Sequence, residues 1–210
     1  MKNATDVTVI VDRSGSMEDI ASDVIGGFNG FLADQQRQPG HCSLTLIQFD
    51  DQYEIVYAAQ PIAEASRLTQ DTFQPRGSTA LLDAIGRTIN TTGARLAALS
   101  EDERPDRVIL AIVTDGLENA STDFTRERVF SMISTQQDVF KWSFLFLAAN
   151  QDAIAEGARV GIAAQQSLNF AATGAGVRAA SRSMSDAVSS LRTSGKAEFP
   201  TPVARKKKVH

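Results

Sequence analysis

A chain of 210 residues with 42% hydrophobic and 22% charged residues has the length of one domain and the composition of an ordinary globular protein, which excludes the disordered and fibrous classes. The net charge is −4, and the only basic run is RKKK at 205–208, so the rest of the chain is acidic and offers no footprint for a nucleic-acid backbone. The single cysteine, Cys42, excludes an intramolecular disulfide framework.

The first element is an apolar, β-branched run, Val7 to Val11, which reads as a strand buried on both faces. It ends in Asp12, and Ser14 and Ser16 follow at alternate positions. Residues spaced by two in extended chain point the same way, so these three aim their oxygens at one point, with Gly15 permitting a turn. Ile20, Val24, Phe28 and Phe31/Leu32 recur at spacings of three and four and predict a helix.

Leu44 to Phe49 and Tyr53 to Ala58 predict a hairpin, with Asp50 and Asp51 as turn residues that alternatively rim the site. Gln60 to Gly77 reads as a connection. Ser78 and Thr79 stand between a glycine and a helix carrying Leu81/Leu82, Ile85 and Ile89, and Gly93 to Asp106 reads as the next connection. Val108 to Val113 is a second buried strand, leaving through Thr114 into DGLENAS, where Asp115 leads and Glu118 and Asn119 read as loop residues.

A weaker helix over Arg126 to Val139, a strand at Phe144 to Ala149 and a helix from Val177 to Leu191 complete the body. This alternation predicts an α/β fold: a mainly parallel central sheet with one antiparallel edge strand and helices on both faces. Residues 1–192 form the expected domain. Thr193 to His210 is expected to be a flexible basic C-terminal tail.

Ligands of an open parallel sheet collect at the carboxyl ends of its strands, and Asp12 and Asp115 both fall on that edge. Carboxylates and hydroxyls without His or Cys are the ligand set of a hard cation, so Mg²⁺ is expected, with Mn²⁺ or Ca²⁺ as alternatives. The competing local reading makes Asp12, Ser14 and Ser16 the N-cap of the following helix, and Ser78 and Thr79 caps of the next.

The D-x-S-x-S sequence at Asp12, Ser14 and Ser16, Thr79 in GSTAL, and Asp115 in TDG together resemble the metal-ion-dependent adhesion site of von Willebrand factor A domains. The resemblance covers about residues 5 to 192 and implies a Rossmann-like fold. It also implies direct ligation by the hydroxyls of Ser14, Ser16 and Thr79, with Asp12 and Asp115 acting largely through water. FLAANQDA and NFAATGAGVRAA are similar to segments of small stand-alone bacterial and phage members of that family. Neutral hydroxyl ligands leave most of the cation's charge uncompensated, so an open position attracts an Asp or Glu carboxylate from a protein partner.

No glycine-rich phosphate loop or G-x-S-x-G elbow is present, and Ser14 stands where a D-x-D phosphotransferase needs its second aspartate. His41 and Cys42 are strand neighbours that point to opposite faces, which argues against a nucleophile pair. The expectation is a non-enzymatic, metal-dependent protein-binding module. The alternatives are a structural or assembly component, for example of a phage particle, and a Mg²⁺-dependent hydrolase or phosphotransferase. The N-terminal residues lack a signal-peptide pattern and no run of ~18 apolar residues occurs, so no membrane insertion and a cytoplasmic, or virion-associated, protein are expected. The tail is read as solvated rather than as a nucleic-acid contact.

Overall fold

The computed structural model describes residues 4–149, 152–196 and 199. Six strands form one sheet: β1 (Thr5–Asp12), β2 (Cys42–Phe49), β3 (Tyr53–Pro61), β4 (Arg107–Thr114), β5 (Ser143–Ala149) and β6 (Ser167–Phe170). Their spatial order is β3-β2-β1-β4-β5-β6, and every neighbouring pair is parallel except β2 with β3. Among the described residues four α-helices connect them, α1 (Ala21–Gln36), α2 (Leu81–Ala97), α3 (Arg126–Asp138) and α4 (Ala153–Arg159), and α5 (Gly174–Ser194) follows β6.

The continuous apolar runs form central strands because both faces are covered. Every residue of β1 is buried. Val7, Val9 and Val11 face α1 and α5 together with Leu44, Leu46, Ile109, Ala111, Leu145 and Leu147. Ile10, Ile47, Leu110, Ile112, Phe144 and Phe146 face the α2 and α3 side. Two cores therefore share one sheet, and the alternation along each strand decides which core a side chain joins.

Successive strands are added to one side of β1 up to β3 and to the other side from β4 onward. The order thus reverses between β1 and β4, the switch point where helices on opposite faces leave a crevice beyond the strand ends. Asp12 ends β1, and β4 ends beside it in register, with Val11 opposite Val113.

Four features differ from the sequence reading. Helix α2 continues to Ala97, so the expected connection at Gly93 begins inside it. Helix α4 and strand β6 were not expected, being only 7 and 4 residues long and too short to display a period. Helix α5 runs to Ser194, two residues past the expected boundary, and is closed by Gly195 in the left-handed conformation. Phe199 is buried in the α1/α5 core and donates its N–H to the Gln165 carbonyl, whereas the basic run at 205–208 lies outside the described residues. No helix among the described residues is long and apolar enough to cross a membrane.

Candidate metal centre

The strand ends place the first carboxylate. Asp12 is fully buried and held through both oxygens: the Ser14 N–H donates to Oδ1 at 2.7 Å and the Thr114 hydroxyl donates to Oδ2 at 2.6 Å. The chain then enters a 3-10 turn over Gly15–Ile20, so Ser16 is not in extended chain as the spacing suggested. Gly15 takes no left-handed conformation. The turn still brings the hydroxyls together, with Ser14 Oγ and Ser16 Oγ 3.1 Å apart, and Ser16 donates to Asp115 Oδ1 at 2.6 Å.

Thr79 arrives from a separate segment. A Cβ added to Gly116 would lie 2.7 Å from Thr79 Oγ1 and 3.5 Å from Asp12 Oδ2, so both oxygens face the same small space beside that glycine. The structure thus brings Asp12, Ser14, Ser16, Thr79 and Asp115 together. Asp12, Ser14 and Thr79 are buried, Asp115 is half-buried and Ser16 is exposed, so the cluster opens to solvent on one side.

The capping alternative fails on geometry. Ser14 precedes the 3-10 turn without a capping side-chain hydrogen bond, and the N-cap position of α2 is taken by Ala80, not by Ser78 or Thr79. The N-terminus of α2 is capped from a distance instead. Glu118 accepts from the Leu82 N–H, and the Ser121 hydroxyl accepts from the Asp83 N–H. Asp83 in return accepts from the N–H groups of Thr122, Asp123 and Phe124. The loop after Asp115 is thereby fastened onto the helix that follows Thr79.

A second framework lies behind the cluster. Asp50 is not a simple turn residue: it is fully buried and accepts from Arg13 Nε at 3.0 Å, Arg76 Nε at 2.8 Å and the Gln52 N–H at 2.6 Å. Arg13 also reaches Gln48 and Glu54. Backbone bonds run from Arg76 N–H to the Arg13 carbonyl, from Gly15 N–H to the Gly77 carbonyl and from Ala80 N–H to the Asp50 carbonyl. Gly77 has φ +68°, a left-handed conformation in which any side chain would be strained. Sequence reasoning missed Arg13 and underrated Asp50 and Asn119; the available signal was an arginine inside an otherwise oxygen-bearing strand exit.

Burial raises the Asp12 carboxyl above the ordinary aspartate value; the hydrogen bonds from Thr114 and Ser14 oppose this, and the charge of Asp115 adds to it. Burial likewise raises Asp115, against the hydrogen bond from Ser16. Burial also opposes ionisation of Asp50, but Arg76, the Gln52 N–H and Arg13 outweigh it and hold that carboxyl low. The two carboxylates of the cluster are therefore short of positive charge, and the one behind it is well supplied. Among the described residues no group of three or more His, Cys, Asp or Glu side chains could hold a metal, so a cation here would depend on the hydroxyls. Cys42 begins β2, at the sheet's opposite end, and burial pushes its thiol up to about 11, which makes it a poor nucleophile.

Solved structures match this arrangement of strands and helices across most of the chain. A pilus adhesin, SpaC, from Lactobacillus rhamnosus GG matches with a TM-score of 0.66 at 14% identity, over 88% of this chain and 30% of that one. A von Willebrand factor type A protein from Catenulispora acidiphila matches with a TM-score of 0.55 at 13% identity, over 87% of this chain and 42% of that one. The chain has a von Willebrand factor A-like fold. Proximal thread matrix protein 1 of the mussel byssus, described with a zinc-occupied MIDAS motif, matches this fold with a TM-score of 0.61 at 12% identity, over 88% of this chain and 46% of that one. The chain spans less than half the length of each of these proteins. No protein-family model matches the sequence, and no curated protein sequence matches it significantly.

Proposed function

We propose that this von Willebrand factor A-like domain binds a divalent cation, Mg²⁺ by its donor chemistry, at Asp12, Ser14, Ser16, Thr79 and Asp115, and through it a carboxylate of a protein partner. The observation that carries this reading is the convergence of three hydroxyls and two carboxylates at the β1/β4 switch point. Adjacent oxygens around an octahedral Mg²⁺ lie about 2.9 Å apart, given metal–oxygen distances of ~2.0–2.1 Å. The Ser14 to Ser16 separation of 3.1 Å, between two of the proposed direct ligands, is close to that value. Ser14, Ser16 and Thr79 would hold the ion directly, and Asp12 and Asp115 would hold its waters.

Bound there, the ion supplies positive charge that three neutral hydroxyls do not cancel, which favours an acidic group at the exposed Ser16 side. That the matched structures include an adhesin and a protein with zinc in the corresponding motif supports a binding role. An oxygen-only donor set favours Mg²⁺ over zinc here. The reading is of a binding module rather than an enzyme, since Cys42 lies at the opposite end of the sheet from the cluster and, among the described residues, none of the five groups is paired with a histidine.

The test is affinity capture from the native host in Mg²⁺ or in chelator, with Asp12→Ala and Thr79→Ala as controls and calorimetric Mn²⁺ titration in parallel. A partner retained only by the wild-type chain in Mg²⁺ is the expected result. Capture that neither chelator nor Asp12→Ala changes would sink the metal-bridge mechanism.

A further inference from the structure

We propose that Asn119 positions Thr79, joining the Thr79 segment to the Asp115 loop so that the separate parts of the oxygen cluster are held as one unit. The proposal rests on the metal-site reading above.

The five oxygen-bearing groups come from three segments. Two are joined directly, through Ser16 to Asp115 and Thr114 to Asp12. Among the described residues no side-chain hydrogen bond joins the Thr79 hydroxyl to the other four groups, so its placement is set through its backbone. Both polar groups of the Thr79 main chain go to one residue. The Thr79 N–H donates to Asn119 Oδ1 at 2.9 Å, and the Thr79 carbonyl accepts from the Asn119 N–H at 3.0 Å. Asn119 lies four residues after Asp115 and 40 residues from Thr79.

The other ties in this region act on neighbours of Thr79. Gly15 holds the Gly77 carbonyl and Asp50 holds the Ala80 N–H. They confine the segment, and Asp50 fixes the Thr79–Ala80 peptide, but the Ser78–Thr79 peptide, which carries the Thr79 N–H, is left to the Asn119 side chain. Asn119 is itself exposed, so truncating it opens no cavity in either core. Its contribution to ion binding is therefore separable from its contribution to folding. Octahedral Mg²⁺ tolerates little displacement of a ligand, which makes a group that orients one measurable in affinity.

The experiment is Mn²⁺ titration of the full chain, wild type against Asn119→Ala and Asn119→Asp, with melting temperatures recorded in chelator. Asn119→Ala is expected to bind Mn²⁺ about 10- to 100-fold more weakly, as for loss of a group that orients a ligand, with little change in melting temperature. Asn119→Asp keeps the acceptor and is expected to restore most of the affinity. A Leu117→Asp/Asn119→Ala double variant brings the same charge to the loop without the acceptor and should remain weak. If Asn119→Ala folds too poorly to titrate, Asn119→Ser, whose hydroxyl is too short to reach, replaces it.

Wild-type Mn²⁺ binding with an unaffected Asn119→Ala overturns the positioning role and leaves the metal site standing. Failure of Asn119→Asp to recover affinity, or recovery by the double variant, also overturns it, since charge or another group would then be responsible. Wild-type chain that binds no Mn²⁺ overturns the site itself, and that result is distinguishable because Thr79→Ala then makes no difference either.

Discussion

Replacing Gly116 with alanine asks whether the space between Thr79 and Asp12 is the one a cation uses. Gly116 is not among the glycines with positive φ, so alanine adopts its backbone without strain and the added methyl is the whole perturbation. That methyl would sit 2.7 Å from Thr79 Oγ1 and 3.5 Å from Asp12 Oδ2. Reaching an ordinary contact of about 3.5 Å requires Thr79 Oγ1 to retreat by about 0.8 Å. Thr79 is gripped on both sides by Asn119, so the retreat falls on its side chain and takes the hydroxyl out of ligand range. Mn²⁺ affinity measured by calorimetry should fall at least about 10- to 100-fold, the range for disturbing a group that merely orients a ligand. The overpacking should cost about 1–3 kcal/mol in urea unfolding. Gly93, in the middle of α2 with nothing within 4 Å of its would-be Cβ, supplies the control. Gly93→Ala should stabilise by about 0.5–1 kcal/mol and leave Mn²⁺ binding alone. A Gly116→Ala chain that binds Mn²⁺ as tightly as the wild type would refute the assignment of that space.

Two further outcomes follow from the electrostatics. Burial holds the folded carboxyls of Asp12 and Asp115 above the ordinary value of 3.8, so above that pH the native chain retains more protons than the unfolded one, and their contribution to stability falls as pH rises. A bound cation reverses this, so the gain in melting temperature from Mg²⁺ should be larger near pH 7 than near pH 4. At 100-fold excess over its dissociation constant the gain corresponds to about 2.7 kcal/mol, and equal gains at both pH values would contradict the argument. Asp50→Ala removes the buried partner of the buried Arg13 and leaves it only Gln48 and the exposed Glu54, and should cost about 3–5 kcal/mol by urea unfolding. Arg76→Ala removes a half-exposed partner of the same carboxylate and should cost clearly less; similar losses for the two variants would mean that burial of the pair is not what matters.

The fold was legible wherever a local pattern was long enough to declare itself. The runs at Val7, Val108 and Phe144 lack polar alternation because both sheet faces are covered, and their lengths exclude helices. Helix α2 shows its stripe through Ile89, but Asn90, Thr91 and Thr92 interrupt that stripe and Gly93 reads as the start of a connection. Packing against α3 and the sheet keeps those turns helical, a tertiary effect that outweighs local propensity. Among the described residues β6 pairs only with β5, and its SLNF sequence has no pattern that four residues could display.

Within the candidate site, the division falls between the oxygens and what holds them. Asp12, Ser14, Ser16, Thr79 and Asp115 each stand at the junction of a recognisable element and a loop, so their positions can be read one junction at a time. Asp50, Arg13 and Asn119 cannot be read that way, because each acts on a residue 26 to 41 positions away. Nor does their chemistry advertise the role: an aspartate in a turn and an asparagine in a loop are what turns and loops ordinarily contain. Both acquire their function from the reversal of strand order between β1 and β4, which brings the exits of those strands against the segment leading into α2. The cluster leaves Asp12 and Asp115 short of positive charge, while two arginines are spent on Asp50 behind it. On the proposed reading, that unequal distribution would leave the two site carboxylates available to a cation instead of neutralising them within the fold.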